Sequence, residues 1–359
     1  MNILKATKQY ESWLGRHTPI IAQDMQRKHE EMAKKPFPFL RATFYRWVQI
    51  WPDVCPDLNR APRVLGVGDL HVENFGTWRD IDGRLVWGIN DFDEARLYPY
   101  TMDLVRLATS ALLAAEEDRL AMRPKDAVGR ILQGYSAGLQ KNGRPFVLAE
   151  DHVWLRQIAE SKLRDPVEFW QKIDDLPALK GEPPKGVREA IEELLPRRGL
   201  PYRLKRRFAG LGGRGHLRFV AIADYSGGRL AREAKAQGPA SLDWLAPEHE
   251  PGRSQYSQIL KRAVRCPDPY VRLCGGWIVR RLSPHCSRIE LAALGAGRGE
   301  LRLLEAMGHE TANIHLGTGK QRAAILADLE RRKTNWLVQA ASDMAETVEK
   351  DWRVWKGNF

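Results

Sequence analysis

Residues 65–107 read LGVGDLHVENFGTWRDIDGRLVWGINDFDEARLYPYTMDLVRL, and the rest of the chain is best understood outward from this stretch. It gathers Asp69, His71, Asn74, Asp91 and Asp93 within 25 positions. Between the first three and the last two lies Asp82-Gly83, a dipeptide suited to the two central positions of a type I′ hairpin, which both need positive φ. In that hairpin paired residues have numbers summing to 165, as Ile81 and Arg84 do, and so do Asn74 and Asp91. The spacing therefore predicts an amide and a carboxylate side by side, with Asp69 in the loop that enters the first strand. Carboxylate and amide oxygens are the hard ligands that magnesium prefers, and magnesium often takes only one or two of them from the protein.

An Asp, an Asn five residues on and a second Asp beyond a short hairpin is also an arrangement used for phosphoryl transfer. The first Asp orients the substrate hydroxyl, while the Asn and the later Asp hold Mg²⁺ against nucleotide phosphates. The stretch resembles the aminoglycoside-phosphotransferase branch of the kinase-like superfamily, whose catalytic loop reads His-Gly-Asp-x-His-x-x-Asn. Gly68, Asp69, His71 and Asn74 match, and Val67 stands where that family has its leading His. The later Tyr100-Thr101-Met102-Asp103-Leu104 is similar to the family's Asp-Leu helix start, whose Asp ties back to the catalytic loop. More closely, the stretch resembles a bacterial family of uncharacterised kinase-like proteins with Gly-Asp-x-His-x-Glu-Asn-Phe-Gly and Asn-Asp-Phe-Asp-Glu signatures. The resemblance implies an α+β, bilobal protein-kinase-like fold, ATP and Mg²⁺ as cofactors, Asp69 and His71 as catalytic residues, and Asn74, Asp91 and Asp93 as metal ligands.

A second motif lies far downstream. Gly210, Gly212, Gly213 and Gly215 fall in GLGGRG, a match to GxGxxG. A dinucleotide-binding turn would lead from strand into helix. Here residues 202–208 are basic and extended, and 217–225 alternate like a strand. Strand, glycine loop, strand is the hairpin with which kinases cover phosphates. Gly227-Gly228 then turns the chain into Arg229-Leu230-Ala231-Arg232-Glu233-Ala234-Lys235, where the kinase pattern expects a phosphate-pairing lysine. The resemblance places Arg232 there. Lys235 is the reserve, on the opposite face by strict alternation. Glu248 or Glu250 is the expected acidic partner.

Kinases run glycine loop first and catalytic loop second, so this order implies a circularly permuted fold. Residues 1–199 are expected to form a large, mostly helical lobe carrying the catalytic hairpin. Residues 200–285 form a small β-rich lobe, in which residues 270–282 give two short strands around Gly275-Gly276. Residues 286–359 return as helices to the large lobe. Thr101 is the expected N-cap of a helix whose Leu104, Leu107, Ala108, Ala111, Leu112 and Ala115 form a buried stripe. Arg41 serves as an ion-pair residue or a brace for the catalytic loop.

Bulk properties bound the partners. At 359 residues the chain exceeds a single-core size. A net charge of +12 suits nucleotides and phosphorylated substrates, and leaves nucleic acid open. Cys55, Cys266, Cys274 and Cys286 have neither disulfide-scaffold nor zinc spacing. With no signal-like head and no apolar run of membrane length, a cytoplasmic protein with reduced thiols is expected. His309 and His315 are six apart, which is not the i, i+4 metal spacing, and packing roles are expected for both. Two other functions stay open. Asp69-Leu70-His71 has the Asp-x-His form of metallophosphoesterases, although their other segments are missing. Val67 and Arg232 suit a non-catalytic nucleotide-binding module that kept the fold.

Overall fold

The computed structural model describes residues 1–117, 122–161, 165–208, 216–246, 249–286, 289 and 298–359 (for Ser161 and Arg298 the backbone only). It is a mixed α+β chain with three small sheets. Strands β1 (Arg63–Gly66) and β4 (Arg96–Pro99) pair antiparallel. Strands β2 (Phe75–Arg79), β3 (Leu85–Ile89) and β5 (Phe146–Val147) form a three-stranded sheet in that order. A five-stranded sheet runs β6-β7-β8-β10-β9, from Arg203–Arg206, Arg218–Tyr225, Gly228–Ala236, Trp277–Leu282 and Val271–Cys274 respectively. No helix among the described residues is long and apolar enough to cross a membrane, and the four cysteines are unpaired.

The N-terminal region is helical, with Pro36 starting a helix rather than only ending one. Its fixed φ suits the first turn, and the helix Pro36–Ala42 follows the helix Ala22–Lys34 after the extended Lys35. Residues 39–47 are broken at Thr43, whose hydroxyl donates to the Phe39 carbonyl before the helix Phe44–Val54 begins. Thr101 is not an N-cap. The helix Tyr100–Glu117 already starts at Tyr100, right after Pro99, and the Thr101 hydroxyl donates to Leu58 O at 2.8 Å. That helix is buried on nearly all sides rather than along one stripe.

One hydrophobic cluster joins the first 159 residues to residues from 244 onward. The helix Arg298–Leu316 packs on Pro124–Gln140, and Trp336–Lys356 packs on Tyr100–Glu117. Residues 166–199, grouped by sequence with the large lobe, pack on the five-stranded sheet instead. Phe169 and Ile173 meet Val220, Ile222 and Ala231 on one face, while Val187, Ala190 and Ile191 meet Phe219, Ala221 and Ala234 on the other. Small apolar residues on both faces of β7 and β8 permit a helix on each side.

Two glycines set the closest helix contact. A Cβ on Gly134 would overlap the Glu305 carbonyl, and one on Gly308 would overlap the Ile131 carbonyl, so the backbones of the 124–140 and 298–316 helices touch. Gly134→Ala or Gly308→Ala must force these helices apart and should cost about 1–3 kcal/mol or more in urea denaturation. Gly129→Ala, in the same helix but facing open space, should be neutral or stabilising by up to about 1 kcal/mol. Equal effects at Gly129 and Gly134 would contradict the packing.

Candidate active site

The loop that carries Asp69 is held by one buried carboxylate. Asp103, in the first turn of the 100–117 helix, accepts from Val67 N at 2.7 Å and Gly68 N at 2.9 Å. Gly68 has φ +83°, and a Cβ there would also collide with the Glu94 carbonyl. His315, from the 298–316 helix, places Nε2 3.0 Å from Asp103 while its Nδ1 lies 2.8 Å from the Tyr135 hydroxyl. A histidine 212 residues downstream of Asp103 thus stands behind the loop that begins at Val67.

Asp69 is paired with Arg106, whose Nε lies 3.0 Å from its carboxylate and whose Nη2 also donates to it. Arg106 is fully buried, donates to Leu40 O at 2.9 Å, and lies over the rings of Phe44 and Trp47 at 4.8 and 4.9 Å. Burial raises the Asp69 pKa, and Arg106 offsets part of that rise. Sequence reasoning missed Arg106. The available signal was its i+3 spacing from Asp103 in an otherwise apolar helix.

The hairpin differs from expectation by one residue. Asp82 has negative φ and only Gly83, at +75°, is left-handed, so the loop has three residues instead of two. Gly83 N bonds to Asp80 O and Asp80 N to Arg84 O, both at 3.1 Å, the pattern of a turn followed by a glycine bulge. The Asp80 carboxylate enforces it by accepting from Asp82 N, Arg84 N and Arg84 Nε. Paired numbers then sum to 164, as for Phe75 and Ile89, and Asn74 O accepts from Asn90 N at 3.1 Å. Asn74 therefore faces Asn90, and Asp91 follows one position on. The side-chain amide of Asn74 donates to Asp69 O at 3.0 Å, leaving its Oδ1 without a hydrogen bond among the described residues. His71 is buried edge-on to Phe37, with Nδ1 accepting from Glu73 N, and Arg41 pairs with Glu73 at 2.6 Å. These contacts stiffen the loop from its far side.

The basic residue that meets the acids is Lys235. It lies on the central strand β8, bonds to Asp93 through its ammonium, and has Asp91 at 3.9 Å. Arg232 points to the other face of the strand. There it donates to Leu194 O at 3.0 Å and lies over the Tyr270 ring at 4.5 Å, away from the acids that Lys235 meets. Of its two suggested acidic partners, Glu248 lies outside the described residues and Glu250 is exposed. The acid on the Lys235 face is Glu233, wholly buried and met by Arg207, by Arg280 at 2.6 Å and by Arg218 at 3.4 Å. Burial alone would raise its pKa, but the three guanidiniums hold it well below the usual range. Lys235 itself is pushed down by burial, against the pull of Asp91.

Gly210, Gly212, Gly213 and Gly215 lie outside the described residues. The strands on either side of them do form the expected antiparallel pair, Arg203 opposite Ile222 through Arg206 opposite Phe219. His216, the first described residue after the glycines, abuts Gly238. Burial lowers its pKa to about 4, with Arg218, Lys28 and Asp91 as the charges it faces.

Residues 21–167 match the model of a family described as an uncharacterised protein conserved in bacteria (DUF2252). Over that span the chain is similar to DUF2252. The matched span takes in the helix Ala22–Lys34, the Asp69 loop, the hairpin and Asp103, and ends before the five-stranded sheet that supplies Lys235. No curated protein matches the chain, and no solved structure does.

Removing Arg106 should expose what it balances. Arg106→Met leaves Asp69 largely buried without its cation, at a cost of about 3 kcal/mol at pH 8. Because the folded-state pKa of Asp69 then lies further above its unfolded value, the folded state binds the extra proton. Stability should fall as pH rises through that pKa, so the deficit shrinks toward pH 5. Adding Asp69→Asn should recover part of it. A deficit independent of pH in urea melts would show that Arg106 serves packing alone.

Proposed function

We propose that this chain is an ATP- and Mg²⁺-dependent phosphotransferase with a bilobal, kinase-like fold in circularly permuted order. The observation that carries the reading is Lys235. A buried lysine on the middle strand of an antiparallel sheet reaches the acids that follow a hairpin, next to a loop holding Asp69 and Asn74. Sheet and hairpin come from distant parts of the chain, and this meeting is what a phosphate site between two lobes requires.

The donor set fits the metal. Asn74 offers an unengaged Oδ1, and the side chains of Asp91 and Asp93 are partly exposed toward Lys235. These are hard oxygens, few enough for a cation that keeps several waters. Mg²⁺ bound there would neutralise phosphate charge. On the opposite side Lys235, Arg218 and Arg280 line one face of β7, β8 and β10. Arg218 is 5% exposed, and its Nε has no partner among the described residues. This cationic face suits a polyphosphate. The sequence resemblance gives the phosphate-binding role to Gly210, Gly212, Gly213 and Gly215. Asp69, oriented by Arg106, would take the proton of the acceptor hydroxyl as its oxygen bonds to the γ-phosphorus and ADP leaves. The raised pKa of Asp69 suits that base. His71 then acts through the loop, by packing.

A two-metal phosphoesterase needs a convergent set of acids and histidines, and among the described residues no three His, Cys, Asp or Glu side chains form one. A non-catalytic nucleotide module would bind ATP without turning it over. Equilibrium dialysis should show ATP binding that requires Mg²⁺ and is lost in EDTA. Asp91→Ala and Lys235→Met should each weaken it at least tenfold. Asp69→Asn should keep the affinity but lower ADP release about 10²-fold or more. ATP that fails to bind with Mg²⁺ present ends the proposal, and unchanged ADP release in Asp69→Asn leaves the binding module.

A further inference from the structure

Arg106 and Trp47 carry buried N–H groups that the rest of the described chain leaves unpaired. Asp69 takes Arg106 through Nε and Nη2, and Leu40 O accepts from Nη2 as well. Nη1 is left with no acceptor among the described residues, and so is the indole Nε1 of Trp47. The two side chains are 0% and 2% exposed, and the guanidinium carbon stands 4.9 Å from the centre of the Trp47 ring. A buried donor without a partner is destabilising, and a charged one more so, which makes each such atom a feature to be explained.

Both residues line one cavity of about 10 Å³, together with Thr43, Arg46, Asp351 and apolar side chains. Of all its lining residues only Arg46 is not buried. That volume admits one water-sized body and no polyatomic anion. The polar groups around it are already committed, since Asp351 meets Arg46 at 2.7 Å and the Thr43 hydroxyl donates to Phe39 O. What stays unpaired is a set of donors alone, and two guanidiniums against one carboxylate leave the walls with a positive balance. A water would bring two O–H groups that need acceptors of their own. A monoatomic anion brings only acceptor capacity and the missing negative charge.

We infer that this cavity is a binding site for a single halide ion, of the chloride class, held by Arg106 Nη1 and Trp47 Nε1. Bound there, it fixes the plane of the guanidinium whose other edge sets the direction of Asp69, so the ion positions that acid through Arg106. The site needs neither ATP nor Mg²⁺ and stands apart from the phosphotransferase reading.

The test uses bromide and chloride with the full chain. Crystals grown in sodium bromide should show an anomalous peak within hydrogen-bonding reach of Arg106 Nη1 and Trp47 Nε1. In solution, sodium chloride should raise Tm saturably above sodium gluconate at equal ionic strength, because gluconate is too large to enter. Trp47→Phe keeps an aromatic ring but removes the donor. It should shift the half-saturating chloride concentration upward at least about tenfold, the worth of one hydrogen bond to a charged acceptor. Density at the cavity without anomalous scattering means a water and overturns the inference. A bromide peak with equal melts in the two salts means binding at crystal concentration only, and overturns it too. So does a chloride response that Trp47→Phe leaves unchanged. Should Trp47→Phe not fold, the peak and the melts of the unmutated chain still decide. A halide site found in a protein that does not bind ATP with Mg²⁺ leaves this inference standing while the phosphotransferase reading falls.

Discussion

The site depends on one buried carboxylate, that of Asp103. It accepts from two consecutive backbone amides at the turn into the Asp69 loop, and it meets an imidazole that is itself bonded to a tyrosine. Two N–H groups that would otherwise be buried without partners are thereby satisfied, and the loop is fixed to a helix buried on nearly all sides. Arg106, one turn on, then fixes the orientation of the Asp69 side chain. A single helix thus sets both the path of the loop and the direction of its acid. The 298–316 helix that delivers His315 packs against the 124–140 helix through glycine contacts with no slack, so the brace is as rigid as the helix pair behind it.

The second constraint is electrostatic. Glu233 sits beneath three arginines on the same sheet face as Lys235. A buried acid with three buried or half-buried cations is over-compensated, so the face is net positive before Lys235 is counted. The acids after β3 answer part of that charge, and Lys235 is the point of contact. Buried cations in excess destabilise a folded protein unless something anionic is bound. Such local conflicts with stability tend to gather where a protein works.

Much of this was legible in the sequence, for reasons that can be stated. The Gly68-Asp69-x-His71-x-x-Asn74 spacing and the Asp103 helix start are local, and local patterns survive folding. The turns Ser226-Gly227 and Gly275-Gly276 both adopt the positive φ their glycines suggest. At Asp82-Gly83 only the glycine does, because the same dipeptide serves a two-residue turn or a three-residue loop with a bulge, and the carboxylate of Asp80 two positions earlier decides between them. That choice shifts every pair in the hairpin by one. The choice between Arg232 and Lys235 was open in the sequence for a related reason. Strand alternation separates the two residues onto opposite faces, but only the partner strands say which face looks toward the acids.

What the sequence could not carry is what arrives from far away. His315 and Arg106 have no motif, since a buried histidine and a buried arginine in helices look like any other packing or surface residue until their partners are known. Each is understood only once the fold brings it to its carboxylate, Asp103 for His315 and Asp69 for Arg106.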